Sequence, residues 1–312
     1  MDWRLKAYVQ KALSHVPAGE RLHHLLQQLA GGLRAFGREC DRKVEDWSLM
    51  TKQLQAAGVE IQDSCFLEIG TGWYPTLPLC LYLGGASRVH TLDISRKLDR
   101  RLTRAMAQRL SLHLRTISGT TGISFQALER DHEALLLALE SHFDLGRVTR
   151  GVVAYLAPSD AGRTSLAESS VDVVFSNSVL EHMPPDVIRA CFIEARRLLR
   201  AGGVMFHAVN CGDHYAYSDS RIGQLHYLRY SDHQWRRWNN RFLYQNRLRA
   251  VDFTRLAREV GFAIESDTSR ATAQRLAELA ATPVDASFSS YSAAELAVTS
   301  IDFVARKEKL SR

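Results

Sequence analysis

One stretch, Phe66–Pro75 (FLEIGTGWYP), limits what this chain can fold into more than any other. Cys65, Phe66 and Leu67 favour a strand and lead into Glu68 and Ile69; Gly70, Thr71 and Gly72 then make a turn. A helix-compatible run from Pro75 to Leu83 follows and stops at Gly84 and Gly85. Strand, glycine turn and helix in that order bring free backbone N–H groups to the carboxyl end of a strand, where open α/β sheets bind ligands.

The chain repeats this alternation. Arg88–Asp93 reads as a second strand ending on an acid, and Gly151–Leu156 as a third. Val171–Ser176, an apolar run suited to burial on both faces, reads as the fourth. Val204–Val209, Phe262–Glu265 and Ser300–Ala305 read as strands five to seven. Helical patterns fall between them: Leu98, Leu102, Met106 and Leu110; Ser124–Leu139; Val187–Leu199; Val251–Val260; Thr272–Ala280. Arg100, Arg101, Arg104 and Arg109 read as a solvated face. The expected fold is α/β, a doubly wound, seven-stranded and mostly parallel sheet.

Residues 1–58 read as helical. Leu22, Leu25, Leu26, Leu29, Leu33 and Phe36 follow one apolar stripe, and Val44, Trp47, Met50 and Leu54 another, with Asp41 as a candidate N-cap between them. The division expected is an N-terminal helical extension or cap (1–58) and a main domain (59–312) carrying a helical insert (96–145) and an irregular insert (210–248). The second insert is rich in His, Tyr, Trp, Asp and Arg; long irregular segments of this kind usually carry specificity. A polar loop is expected through Thr282–Ser292, and a frayed charged end, RKEKLSR.

Composition enters at three points. The five cysteines are scattered without a CxxC pair, which fits a reducing compartment rather than a disulfide framework or zinc site. The start of the chain lacks a secretory pattern and no run approaches the ~18 apolar residues of a membrane span, so the cytoplasm is expected. The net charge of +6 is too mild to argue for a nucleic-acid partner.

Three local features choose among ligands for the glycine turn. A dinucleotide fold wants a third glycine, where this chain has Pro75. Glu68 would oppose a pyrophosphate but suits a ligand carrying an ammonium or sulfonium. Asp93 lies about 20 residues on, where a carboxylate accepts from ribose hydroxyls. No GxxxxGK[ST] stretch is present. A nucleoside with a cationic tail and no phosphate is S-adenosylmethionine.

With FLEIGTGWYP (66–75), HTLDIS (90–95), APSDAGRTSLAESSVDVVFSNSVLEHM (157–183) and ARRLLRAGGVMFHAV (195–209) in order, the sequence resembles class I S-adenosylmethionine-dependent methyltransferases, particularly the bacterial type 11/type 12-like group. The resemblance covers roughly Ser64–Val209, and less specifically 246–262. It implies a Rossmann-like methyltransferase fold, S-adenosyl-L-methionine as methyl donor and S-adenosyl-L-homocysteine as product. It implies Gly70, Thr71 and Gly72 beside the methionine part, with Glu68 ordering its amino group. Asp93 would hold the ribose and Ile94 lie against adenine. Asp160 and Ala161 would meet the adenine edge, and Asn177 and Ser178 the methionine amino group. Trp73, larger than the usual residue, either walls the cleft or packs on the N-terminal helices.

Methyl transfer needs alignment and, for a hydroxyl acceptor, a base. His182 stands just past strand four; the EH pair it closes is alternatively a scaffold element. Asp213 and His214, in CGDHYAYSD, follow strand five and offer a second base, or merely a solvated loop. An adjacent Asp/His pair does not make a metal site, and no metal is expected. The run 233–249 mixes arginines with aromatics; it suits RNA, an acidic small acceptor, or simply an amphipathic helix through Trp235, Trp238, Phe242 and Tyr244. The acceptor expected is a small molecule or glycan/lipid-linked group methylated on oxygen. An RNA or protein acceptor, or a non-catalytic cofactor-binding protein, is the alternative.

Overall fold

The computed structural model describes residues 2–14, 19–240 and 243–308, and of residues 14–35, where described, the backbone alone. Seven strands form one sheet: β1 Cys65–Ile69, β2 Arg88–Leu92, β3 Val153–Leu156, β4 Val171–Asn177, β5 Leu199–Asn210, β6 Phe262–Asp267 and β7 Ser300–Lys307. The spatial order is β3-β2-β1-β4-β5-β7-β6. Strands β1 to β5 pair parallel, and β7 runs antiparallel between β5 and β6. The order reverses at β1, with β2 on one side and β4 on the other, so the crevice that open α/β sheets use lies at the carboxyl ends of β1 and β4.

Alternation along β1 feeds two cores. Phe66 joins Val89, Val153, Val173 and Phe175 on one face; Leu67 and Ile69 join Val174, Met205 and the helix Pro185–Leu198 on the other. Full burial of each such side chain is worth about 1.5–3 kcal/mol. The first face is covered by α1 Trp3–Ser14's neighbour, the long helix α2 Gly19–Ala56, by α3 Thr76–Leu83, and by the helices between β2 and β3. Val44, Trp47, Met50 and Leu54 of α2 are buried in that core, as their spacing predicts. The side chains of Leu22, Leu25, Leu26, Leu29 and Leu33 lie outside the described residues.

Three local expectations are corrected. Asp41 does not cap a helix: α2 runs through it unbroken. Its carboxylate accepts from Arg109 Nε and Nη2 at 2.8 and 2.7 Å and lies 2.7 Å from His113 Nε2, which holds its pKa down to about 2. The arginine face between β2 and β3 is therefore not simply solvated, since Arg104 also donates to the Leu139 and Glu140 carbonyls. The stretch 233–249 is not an amphipathic helix among the described residues: one helical turn, Asp232–Trp235, is followed by a hydrogen-bonded turn through Trp238 and then irregular chain. Phe242 lies outside the described residues.

Residues 210–248 fold around a third core that has no helical period. Tyr215, Leu225, Tyr227, Leu228 and Trp235 pack with Leu279, Phe288 and Leu296 from the region after β6 and with Trp3 of α1. The Trp3 ring meets Tyr215, His226, Tyr230 and Trp238, and its backbone N–H donates to Asp219 Oδ2 at 3.0 Å. The expected polar loop 282–292 contains the 3-10 turn Ala286–Phe288, which supplies Phe288 to this core. Among the described residues no helix is long and apolar enough to cross a membrane.

Candidate active site

The carboxyl ends of β1 and β2 form one half of the crevice. Gly70 N–H donates to Leu92 O at 2.8 Å, tying the glycine turn to β2. Gly70 and Gly72 take positive φ, +87° and +75°. A Cβ on Gly70 would stand 2.6 Å from Val179 Cγ2, so only glycine lets the turn after β4 press this close. Asp93 ends β2, buried, and accepts from Gly72 N–H at 2.9 Å. Burial pushes its pKa up to about 6, against the pull of Gly72, Lys97 and Lys43. Ile94, the next residue, is 71% exposed, an apolar face presented to solvent.

Glu68 lies beneath the turn. It is buried and accepts from the Thr91 hydroxyl, which in turn bonds Thr71 Oγ1. Burial pushes Glu68 up to about 8, with Thr91 and Lys43 opposing. Thr71 thus links this buried chain to Asp93, whose carboxylate its hydroxyl also favours. Lys43 reaches both carboxylates electrostatically and stacks its ammonium 4.5 Å from the Tyr74 ring centroid. It belongs to α2, as does Asp46, whose Oδ2 accepts from Asn177 Nδ2 at 3.1 Å. Neither residue is apparent from the sequence; they lie on the polar side of the stripe that buries Val44 and Trp47. Trp73 packs on the core that α2 helps to form.

The remaining expected cofactor residues sit on the same edge. Asp160 is exposed and accepts from Gly162 N–H at 2.8 Å; Ala161 packs against the second core. Ser178 adopts φ +54° and donates its N–H to Ala208 O at 2.9 Å. The turn it opens carries Glu181 and His182.

The ends of β4 and β5 form the other half. His182 and His214 come together with ring centroids 5.0 Å apart. His182 Nδ1 is 2.7 Å from Tyr244 O, so that nitrogen carries the proton and Nε2 keeps the lone pair. His182 is open to solvent at its edge yet crowded by protein, which pushes its pKa below the ordinary value. His214 is pushed down to about 3, by burial first and then by His182 and Lys6. Glu181 is 1% exposed and pushed up to about 8 by burial. From sequence it belongs only to an EH pair that is alternatively a scaffold element; its place beside two imidazoles is not visible there.

The segment Tyr244–Asn246 holds these groups in place. Asn246 Nδ2 donates to Leu180 O (2.8 Å) and Met183 O (2.9 Å), and its N–H donates to Glu181 O. Gln245 donates from Nε2 to Gly212 O and accepts from His214 N–H at 3.3 Å. Asp213 stands apart from the crevice. It is fully buried, Oδ1 caps Tyr215 N–H at 2.8 Å, and Oδ2 is 2.9 Å from His226 Nδ1. Both oxygens are committed, which corrects the expectation that Asp213 serves as a base beside His214. Arg247 and Arg249 are buried too: Arg249 donates to the Cys211, Leu296 and Val298 carbonyls and to the Tyr227 hydroxyl.

Residues 122–207 match a family described as a methyltransferase domain. The match begins in the helical insert, after the glycine turn, and ends in β5. No curated protein sequence matches the chain. Similar solved structures include an S-adenosylmethionine-dependent methyltransferase from Mesorhizobium loti, with 16% identity, TM-score 0.45, and coverage of 82% of this chain and 96% of that one. Another, from Methanosarcina mazei, has 15% identity, TM-score 0.43, and coverage of 79% and 93%. The geranyl diphosphate C-methyltransferase of Streptomyces coelicolor has 11% identity, TM-score 0.45, and coverage of 84% and 78%. The methyltransferase-domain match over 122–207 thus falls on the part of the chain that supplies β3, β4 and most of β5, within a seven-stranded sheet whose β7 is reversed.

Proposed function

We propose that this chain is a class I S-adenosylmethionine-dependent methyltransferase that methylates an oxygen of a small-molecule or glycan/lipid-linked acceptor, held at the ends of β4 and β5. The observation that carries the reading is the pair His182–His214, placed on the same sheet edge as Asp93 and next to the turn that packs on Gly70. The residues present fit the cofactor. Asp93, a buried carboxylate at the tip of β2, is suited to a ribose diol, and exposed Ile94 to the adenine face. Glu68 under the turn, which burial holds at a pKa of about 8 in the cofactor-free protein, is a carboxyl whose ionised form the cationic methionine end would favour, and Gly70–Gly72, Asn177 and Ser178 frame it. Asp160 and Ala161 stand where the adenine edge would lie. S-adenosylmethionine bound there supplies a methyl group on a sulfonium, a leaving group that departs as a neutral thioether.

The chain's own contribution is placement and proton acceptance. His182 Nε2, left as the lone-pair nitrogen by the Nδ1 bond to Tyr244 O, accepts the acceptor's hydroxyl proton. His214, on the 3-10 turn His214–Tyr217 and anchored by Gln245, walls the acceptor space. Asp213 stiffens the turn behind it. Burial of Arg247 and Arg249 removes two of the cations that an RNA-binding reading of 233–249 needs, while Arg236 and Arg237 remain exposed. Five buried free cysteines suit a reducing, cytoplasmic setting.

The test is methyl transfer from isotopically labelled S-adenosylmethionine into fractionated small-molecule, glycan and RNA pools, with the methylated atom read by NMR. Label on oxygen in the small-molecule or glycan pool is expected. Label on nitrogen, or on RNA alone, overturns the acceptor assignment. Absence of cofactor binding by calorimetry at millimolar concentration overturns the whole reading.

A further inference from the structure

Three potential ligands meet at the acceptor side. One donor atom from each of Glu181, His182 and His214 lies within 4.8 Å of the other two. Two of these side chains have buried polar atoms without a protein partner, Glu181 Oε2 and His214 Nε2. Unpaired buried polar atoms are costly, about 1–3 kcal/mol each, and call for a physical reason. The third residue is already set up for ligation. His182 Nδ1 is engaged by Tyr244 O, which fixes the ring and directs the Nε2 lone pair, the arrangement by which outer partners orient metal-binding histidines. The backbone around the cluster is pinned by Asn246 and Gln245, so the three residues are held by polar bonds and not by loop chance.

We propose that Glu181, His182 and His214 bind one divalent transition-metal cation of the zinc, cobalt, manganese or iron(II) kind. Two imidazoles and one carboxylate suit these ions, whereas calcium and magnesium prefer all-oxygen sets. With ligands at about 2.0–2.2 Å, donors in a first shell stand about 3–3.5 Å apart, so small side-chain rotations close the present spacing. The cation would occupy the space between the uncommitted Glu181 oxygen and the two lone-pair nitrogens. Three protein ligands would leave coordination positions open for a further oxygen ligand. This deepens the oxygen-acceptor reading, rests on it for the ligand's identity and replaces one part of it: a hydroxyl or carboxylate oxygen of the acceptor would complete the shell, and with His182 Nε2 spent on ligation a cation-bound hydroxyl would lose its proton to solvent rather than to His182.

The experiment is titration of chelator-treated full-length protein with Co²⁺ alone and Zn²⁺ alone by calorimetry, with visible absorption of the Co²⁺ form and Mg²⁺ as a control. One Co²⁺ per chain is expected, displaced by Zn²⁺ and not by Mg²⁺. Glu181→Gln and His214→Ala should each weaken Co²⁺ binding by more than about 100-fold, beyond what losing an outer partner costs. S-adenosylmethionine affinity, measured on the same samples, should stay within about threefold of the unaltered protein. No stoichiometric Co²⁺ binding, or binding that survives both substitutions, overturns the metal site. Loss of S-adenosylmethionine binding by the unaltered protein would instead sink the function proposed above, so the two failures are distinct.

Discussion

The two halves of the crevice are built differently. The β1–β2 half is made from short stretches of chain: a glycine turn, the acid at the end of the next strand, and backbone N–H groups aimed by the sheet itself. The β4–β5 half is held by side chains bonding backbone across long separations. Tyr244 O is 62 residues from His182, and Gln245 is 33 from Gly212. The first design reuses what any parallel sheet supplies. The second needs a private scaffold, here the third core and its buried arginines, and so can change without disturbing the first.

The comparison can be broken most sharply at Arg249, which is fully buried and spends its guanidinium on three carbonyls and a hydroxyl. Arg249→Ala strands those acceptors and should cost about 3–4 kcal/mol of stability in urea unfolding. Hydrogen exchange should rise across 210–248 while the β1–β2 turn keeps its protection. Equal loss of protection in both regions would show that the halves are one cooperative unit.

Next in size is Asp93→Ala, expected to weaken cofactor binding by roughly 1.5–3 kcal/mol while leaving Co²⁺ binding at the other half intact. Unchanged affinity would mean that β2 does not carry the ribose acceptor. The milder Asp93→Asn separates binding from stability. The folded-state pKa of Asp93, about 6, lies above the free value of 3.8, so the ionised carboxylate costs the cofactor-free fold stability above pH 6, and the cost fades as pH falls toward 4. Asn at this position should therefore stabilise the cofactor-free protein at pH 7 by about 1–2 kcal/mol, seen as a raised Tm. In the unaltered protein, cofactor affinity should fall as pH drops through about 6, and Asn should flatten that dependence.

The smallest effect is expected at Gln245→Ala, about 1 kcal/mol in stability. Its value is local: the His214 backbone loses its anchor, so acceptor-side ligation should weaken while cofactor affinity holds.

This contrast also explains what the sequence could disclose. The places of Phe66–Pro75 and Asp93 at the ends of β1 and β2 were legible because they follow from strand periodicity and fixed spacing. His182 and His214 were legible as candidates, since both follow parallel neighbouring strands. Glu181 was not, because whether a buried carboxylate faces a core or a cleft depends on side-chain aim. Nor was the third core: Tyr215, Tyr227, Trp235 and Phe288 sit on 3-10 turns and single helical turns, which impose no period on apolar residues. Lys43 and Asp46 were hidden for a related reason, as polar residues beside a buried stripe look like an ordinary solvated face.

The bond from Trp3 to Asp219 has a consequence for the order in which the molecule can be made. Its two ends are 216 residues apart. At translation rates of about 5–20 residues per second, Trp3 waits ~10–40 s for its aromatic neighbours to be synthesised. Through that interval the indole is without its native cover, and α1 has no native dock. The β1–β2 side of the crevice can be complete on the ribosome while α1 still awaits its place.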